Sequence, residues 1–470
     1  MSDMITMTND AGRTGAIGGT AQARGAYQAA AIATGLMLSA AAVPASAQGL
    51  AGAPGLQIFS GDTAWLLTAT VLVLFMGVPG LAMFYGGLVR AKNTLSMLTQ
   101  VFAVVCLAAV IWALLGYSLT DTSGSLPGFI GGFSKTLLRG VGLDSATATT
   151  STGVGVPEYG YIAFQMMFAC ITPAIIVGAF AERMRFQAML LFITLWIVLV
   201  YVPIAHMAWF HVSPDALAEA TKAAVIAAPG EPRIQAELAL AKLNASNGLF
   251  QQWGALDFAG GTVVHISAGI AGLIGAIILG KRTGYGRDSM APHNLTMTMA
   301  GAAMLWVGWL GFNAGSSLRA DNTAALAVLN SLLAPDVGAL AWMVVEAAMR
   351  GKPSALGLVS GLLAGLVAVT PAAGYVGPAG SVVIGLVAGV LCFVFSTSVK
   401  SYYQYDDSLD VFGIHCIAGV AGTLLLAILA SPALGGFGLM DHMKAGLGLP
   451  TYSIGQQFMA QAKAVIVTLA

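Results

Sequence analysis

The apolar residues of this chain come in long unbroken runs, and that excludes a water-facing fold. Eleven such segments lie at approximately 62–89, 94–119, 157–181, 186–210, 254–280, 291–314, 323–349, 353–373, 376–399, 411–431 and 456–470. About 20 helical residues cross the hydrocarbon of a bilayer. There every backbone N–H and C=O must be paired within the protein, so a spanning segment is a helix or part of a closed barrel. Barrel strands alternate apolar and polar residues, and these runs do not. The expectation is therefore an all-α integral membrane protein with eleven transmembrane helices, the last one short. Only 9% of the 470 residues are charged, against about 25% in soluble domains. The formal net charge is zero, which leaves no case for binding nucleic acid. Cys106, Cys170, Cys392 and Cys416 fall inside apolar runs with no metal or redox spacing, and read as packing residues.

Charge sets the expected orientation. The connections after segments one, three, five, seven and nine carry Arg90, Lys92, Arg183, Arg185, Lys281, Arg282, Arg287, Arg350, Lys352 and Lys400, half of all the Lys and Arg. Basic short loops stay on the cytoplasmic side, so the first segment enters from outside. Residues 1–47 fit that topology as a cleaved signal peptide. Arg13 and Arg24 precede the apolar run 29–43, and Ala45-Ser46-Ala47 offers a small-x-small cleavage pattern. The membrane domain is then 48–470, with its mature N-terminus outside. Of the extracytoplasmic stretches, 121–156 reads as a Gly/Ser/Thr-rich loop. The insertion 211–250 reads as a helical hairpin turning at Pro229-Gly230. The segment 456–470 is an incomplete last helix.

One segment repeats. From His415 the chain reads HCIAGVAGTLLLAIL, which lies without a gap over HISAGIAGLIGAIIL from His265. The opposite entry sides of the two copies predict an inverted repeat, a common plan for transporters, with the site where the copies meet. An imidazole in hydrocarbon costs free energy unless it is paired or lines a cavity. Two imidazoles facing across a pseudo-two-fold axis satisfy one another and still offer a nitrogen to a passing solute. No carboxylate or thiolate stands at helical spacing from either histidine, so neither reads as a metal ligand. Asp257 and Asp410 precede the two histidines. For Asp410 the expectation is a helix cap; for Asp257, capping and support of a cation site weigh equally. Phe164, Phe168, Trp209, Trp309, Phe312 and Ser316 could supply aromatic faces and a hydroxyl to a cation, although their spacing alone does not bring them together.

GALDFAGGTVVHISAGIAGL (254–273), FQMMFACITPAIIVGAFAERMRF (164–186), YVPIAHMAW (201–209), PHNLTMTMAGAAMLWVGWLGFNAGS (292–316), RGKPSALGLVSGLLAGLVAVTPAAGYV (350–376) and DVFGIHCIAGVAG (410–422) resemble the ammonium transporter family (Amt/Mep/Rh), of the bacterial Amt type. The likeness runs from about residue 60 to 460. It implies two inverted five-helix repeats around a central pore, a homotrimer in the bacterial inner membrane, and a transporter rather than an enzyme, with no cofactor. By the same resemblance NH4+ is recruited at Phe168, Trp209 and Ser316 with Asp257 beneath. Phe168 and Phe312 form a gate, and His265 and His415 line a pore for NH3, with methylammonium as a possible second substrate. The electrogenic, NH3/H+ and gas-channel mechanisms all stay open. A sensor with little net transport is the alternative. The tail that meets PII-type regulators in the family lies beyond 470 in this pattern, so that partner is expected only where such a tail is present.

Overall fold

A computed structural model describes residues 55–124, 126–439 and 452–470 of the chain. The expected signal peptide lies outside the described residues. The helices longer than one turn, in chain order, are α1 (Ser60–Leu88), α2 (Ala91–Asp121), α3 (Glu158–Phe180), α4 (Phe186–Trp209), α5 (Pro214–Ile226), α6 (Glu231–Asn244), α7 (Gly261–Leu279), α8 (Leu295–Gly315), α9 (Asn322–Arg350), α10 (Ala355–Val369), α11 (Pro378–Tyr403), α12 (Phe412–Leu429) and α13 (Ile454–Leu469). Among the described residues, nine of these are long and apolar enough to cross a membrane. Two of the eleven expected spans form shorter helices. α10 has 15 residues and α13 has 16. α10 ends at Val369, just before Pro371, which has no backbone N–H to donate to the next helical carbonyl.

The stretch 211–250 folds as the two helices α5 and α6, with Gly230 at φ +98 opening the second. The stretch 121–156, read as a loop, contributes strands to a small sheet. β1 (Gln57–Ile58), β2 (Ala146–Ala148) and β3 (Val154–Pro157) pair in the order β1-β3-β2, with β3 parallel to β1 and antiparallel to β2. Each strand is too short to show a periodic pattern in the sequence.

α7 and α12, which carry the two histidines, cross back to back and antiparallel. A side chain placed at Gly261 would meet Thr423, at Gly419 Ile266, at Gly269 Cys416, and at Gly272 Val411. Residue numbers rise along one helix as they fall along the other, which is the inverted relation of the repeat. Gly269 and Gly419 each stand four residues after a histidine and permit this close approach. In hydrocarbon, helices associate largely through such small-residue contacts. Both helices open with a wide π-helical turn, Gly261–Ile266 and Phe412–Cys416, and the histidine sits within it. Similar turns interrupt α1, α2, α4 and α11, so the turn by itself does not mark the site.

Candidate functional site

His265 and His415 lie at the crossing of α7 and α12, fully and nearly fully buried. Their rings are close to parallel, 19° apart, with Nδ1 3.2 Å from Nδ1. One Nδ1 must donate and the other accept, so the two Nε2 atoms take opposite roles. The pair therefore presents one bare nitrogen and one N–H. Among the described residues, His265 Nε2 is buried without a partner. The indole of Trp309 stacks on His265 at 5.3 Å, and its Nε1 donates to Thr370 Oγ1.

The aromatic residues form a line leading to the pair. Phe312, on α8, is 6.1 Å from His265 between ring centroids. Phe168, on α3, stacks on Phe312 at 4.2 Å. Trp209, at the end of α4, meets Phe168 edge to face at 5.6 Å. Phe164 packs on Phe168 at 5.0 Å. Beyond Phe168 lies a pocket of about 70 Å³, lined among others by Phe164, Phe168, Trp209, Asp257, Ser316 and Tyr375. The hydroxyl of Ser316 donates to Phe312 O, 2.9 Å away, and keeps its own lone pairs available to a donor. All the candidate residues thus fall on one line: Trp209 and Ser316, then Phe168 and Phe312, then His265 and His415. Sequence spacing could not have joined them, because the line draws on α3, α4, α7, α8 and α12.

Asp257 lines the pocket, but its carboxylate is turned to the backbone. Oδ1 accepts from the N–H groups of Gly260 and Gly261 at 2.8 and 2.5 Å; Oδ2 accepts from that of Thr262 at 2.7 Å and from the Thr262 hydroxyl. Trp209 Nε1 donates to the Asp257 carbonyl at 2.9 Å. One residue therefore holds both the indole of the pocket and the first turn of the His265 helix.

The expectation for Asp410 is corrected. Its carboxylate takes Lys400 Nζ at 2.5 Å, and the residue lies at φ +58. The start of α12 is capped by Asp407, whose Oδ2 accepts from the Phe412 N–H at 2.7 Å. Asp407 stands eight residues before His415, as Asp257 stands eight before His265. The pattern was present in the sequence, and the nearer acid concealed it. Burial pushes the Asp407 carboxyl up to about 6, with Lys400 opposing.

Sequence reading also missed an ionic clasp at the far end of α7. Glu182 accepts from Arg90 Nε at 2.8 Å and Asn93 Nδ2 at 2.7 Å, while Asp406 accepts from Arg282 N at 2.7 Å and Arg282 Nη2 at 2.8 Å. Arg282 also reaches Glu182, and Arg183 reaches Asp406, each at 3.7 Å. Burial raises both carboxyls, but the hydrogen bonds from Arg90 and Asn93 to Glu182, and from Arg282 to Asp406, outweigh it and hold them below their usual range. These arginines had signified only orientation. A further buried histidine, His206, is committed to structure, with its nitrogens 2.7 Å from Thr120 O and Pro127 O.

Fold and site together define a multi-pass helical membrane protein with a buried imidazole pair at the seam of two inverted repeats. The model of the Ammonium Transporter Family matches residues 64–470. A protein of Aquifex aeolicus named ammonium transporter is 40% identical over 416 residues, 88% of this chain and 85% of its own. The crystal structure of Mep2 from Saccharomyces cerevisiae superposes with a TM-score of 0.70 at 31% identity, covering 88% of this chain and 85% of that one. A structure titled Sensor Amt Protein superposes at 0.71 with 25% identity, covering 87% and 89%. The chain belongs to the ammonium transporter family, a family of transporters and not of enzymes.

Proposed function

We propose that this protein recruits NH4+ in the Trp209–Ser316 pocket, strips one proton at the Phe168/Phe312 stack and conducts NH3 along His265 and His415, the proton crossing separately by way of the two imidazoles so that net charge moves. The observation that carries this reading is the unbroken line from the pocket through the stacked rings to the imidazole pair. A bare cation in hydrocarbon pays a large desolvation cost. Aromatic faces return about 0.5–2 kcal/mol of it, and Ser316 Oγ offers a hydrogen-bond acceptor. Phe168 and Phe312, stacked at 4.2 Å, leave no room for a hydrated ion. The neutral amine both donates and accepts hydrogen bonds, and so it suits a histidine pair that offers one bare nitrogen and one N–H. K+ has no proton to surrender and none to donate.

In this reading Asp257 acts as a positioning residue beneath the pocket. The pocket faces outward and the clasp lies at the cytoplasmic end, in a homotrimer of the bacterial inner membrane. Methylammonium shares the recognised N–H donors and is a second substrate. The test is transport current on a solid-supported membrane after pulses of NH4+, methylammonium and K+. Currents with the first two and none with K+ support the reading, and equal currents for all three refute it. The likeness to a structure titled as a sensor favours one second reading, in which the same pocket reports ammonium with little flux. A saturable binding signal without current would select it.

A further inference from the structure

A larger chamber adjoins the Trp209 pocket. Its volume is about 360 Å³, and it shares Tyr161, Trp209 and His211 with that pocket. The hairpin of α5 and α6 roofs it through Val212, Ser213, Ala216, Leu243 and Ser246. The roof is tied down. Gly153 N donates to Asp215 Oδ1 and Val212 N to Asn247 Oδ1, each at 2.8 Å.

Two residues lining this space each hold a buried polar atom that has no partner among the described residues, Asp121 Oδ2 and Ser213 Oγ. The other carboxylate oxygen, Asp121 Oδ1, accepts from Tyr161 Oη at 2.8 Å. The chamber's one ammonium group, on Lys135, is taken by Glu158 and lies 5.6 Å over the Tyr117 ring. Lys135 therefore acts on Asp121 only from a distance, and among the described residues no cation of the protein pairs with this carboxylate. A buried carboxylate left in that condition is costly, and a cation from solution relieves the cost. Aromatic walls at Tyr117, Tyr161 and Trp209 add faces that attract one.

We propose that this chamber is a second, outer site for small monovalent cations, NH4+ among them, in series with the Trp209 pocket and feeding it. The inference rests on the reading of that pocket as the recruitment site. Asp121 gives the charge, Ser213 a hydroxyl acceptor, and Tyr161 and Trp209 the shared wall through which the cation moves inward. No deprotonation occurs in the chamber, so K+ competes there, although the pore rejects it.

The full chain in proteoliposomes, pulsed with NH4+ with and without excess K+, tests this. Asp121→Asn keeps an acceptor for Tyr161 and removes the charge. It is expected to raise the half-saturating NH4+ concentration roughly three- to tenfold, as loss of a partly screened charge contact does. It should also abolish the inhibition by K+ seen in the unaltered chain. Ser213→Leu fills the chamber from its roof and should act in the same direction. The proposal is overturned if both variants keep the unaltered affinity and K+ response while Trp209→Leu still shifts the affinity. If Trp209→Leu is also silent, the pocket reading fails and the chamber proposal falls with it.

Discussion

Replacing Asp257 separates two roles that a carboxylate beneath a cation pocket can play. Three backbone N–H groups, of Gly260, Gly261 and Thr262, donate to it at 2.5–2.8 Å and a fourth, of Val263, at 3.3 Å, together with the Thr262 hydroxyl. Asp257→Ala leaves those donors without an acceptor. Each orphaned buried donor costs about 1–3 kcal/mol. Asp257 is half-buried and lines the pocket, so the lower end applies. The sum is then about 3 kcal/mol for the three closer N–H groups. Asp257→Asn keeps one oxygen, able to serve Gly260 and Gly261, but turns an amide donor toward Thr262. About 1–2 kcal/mol should be lost there. Because the affected turn carries His265, the maximal NH4+ current should fall in both variants, further in the alanine form. The half-saturating concentration should move little, since the carboxylate is already occupied by the protein. Thermal melting in detergent together with concentration-dependent currents checks this. A large loss of apparent affinity in Asp257→Asn with unchanged melting and maximal current would refute the argument, placing Asp257 in direct contact with the cation.

Two further predictions concern the pocket and the clasp. Trp209→Leu removes a cation–π face of about 0.5–2 kcal/mol and Ser316→Ala removes an acceptor. Both should weaken apparent NH4+ affinity, and the double variant should be non-additive if they share one ion; strictly additive effects would separate them. Glu182 and Asp406 sit below their ordinary values of 4.5 and 3.8. Their stabilisation is therefore complete above those values and is lost as pH falls through the lower native ones. Asp407, raised to about 6, acts oppositely, losing stability as pH rises toward 6. The clean readout is thus a difference. Arg282→Ala should lower the melting temperature at pH 7, and the gap should narrow below about pH 4. A gap independent of pH would show that Arg282 acts through packing alone.

The membrane class, the repeat and the histidine pair were legible because each rests on a pattern along the chain. Apolar runs identify helices wherever hydrocarbon is the solvent, and an ungapped match from His265 to His415 needs no structure to be seen. The antiparallel crossing then follows from Gly269 and Gly419, each four residues beyond its histidine. What joins Trp209 to Phe168, or Phe312 to His265, is helix packing across several elements, which leaves no trace in local spacing. The exchange of Asp410 for Asp407 shows how a local rule misleads. Both acids precede α12, but only Asp407 reaches the Phe412 N–H, and the offset of eight from the histidine was the better guide. The clasp was invisible for a related reason. Arg90, Glu182, Arg282 and Asp406 lie in four separate connections, and each alone looks like a solvated loop charge.

The central claim is that the imidazole pair carries the selective step. Its most direct test is the NH4+ and K+ currents of His265→Ala and His415→Ala beside those of the unaltered chain. The two Nδ1 atoms stand 3.2 Å apart, so removal of either ring leaves its partner unsatisfied and breaks the polar thread. The account predicts that each variant remains folded and loses NH4+ selectivity, either by ceasing to conduct or by passing K+ as well. Unchanged NH4+ current with K+ still excluded, in both variants, would contradict it.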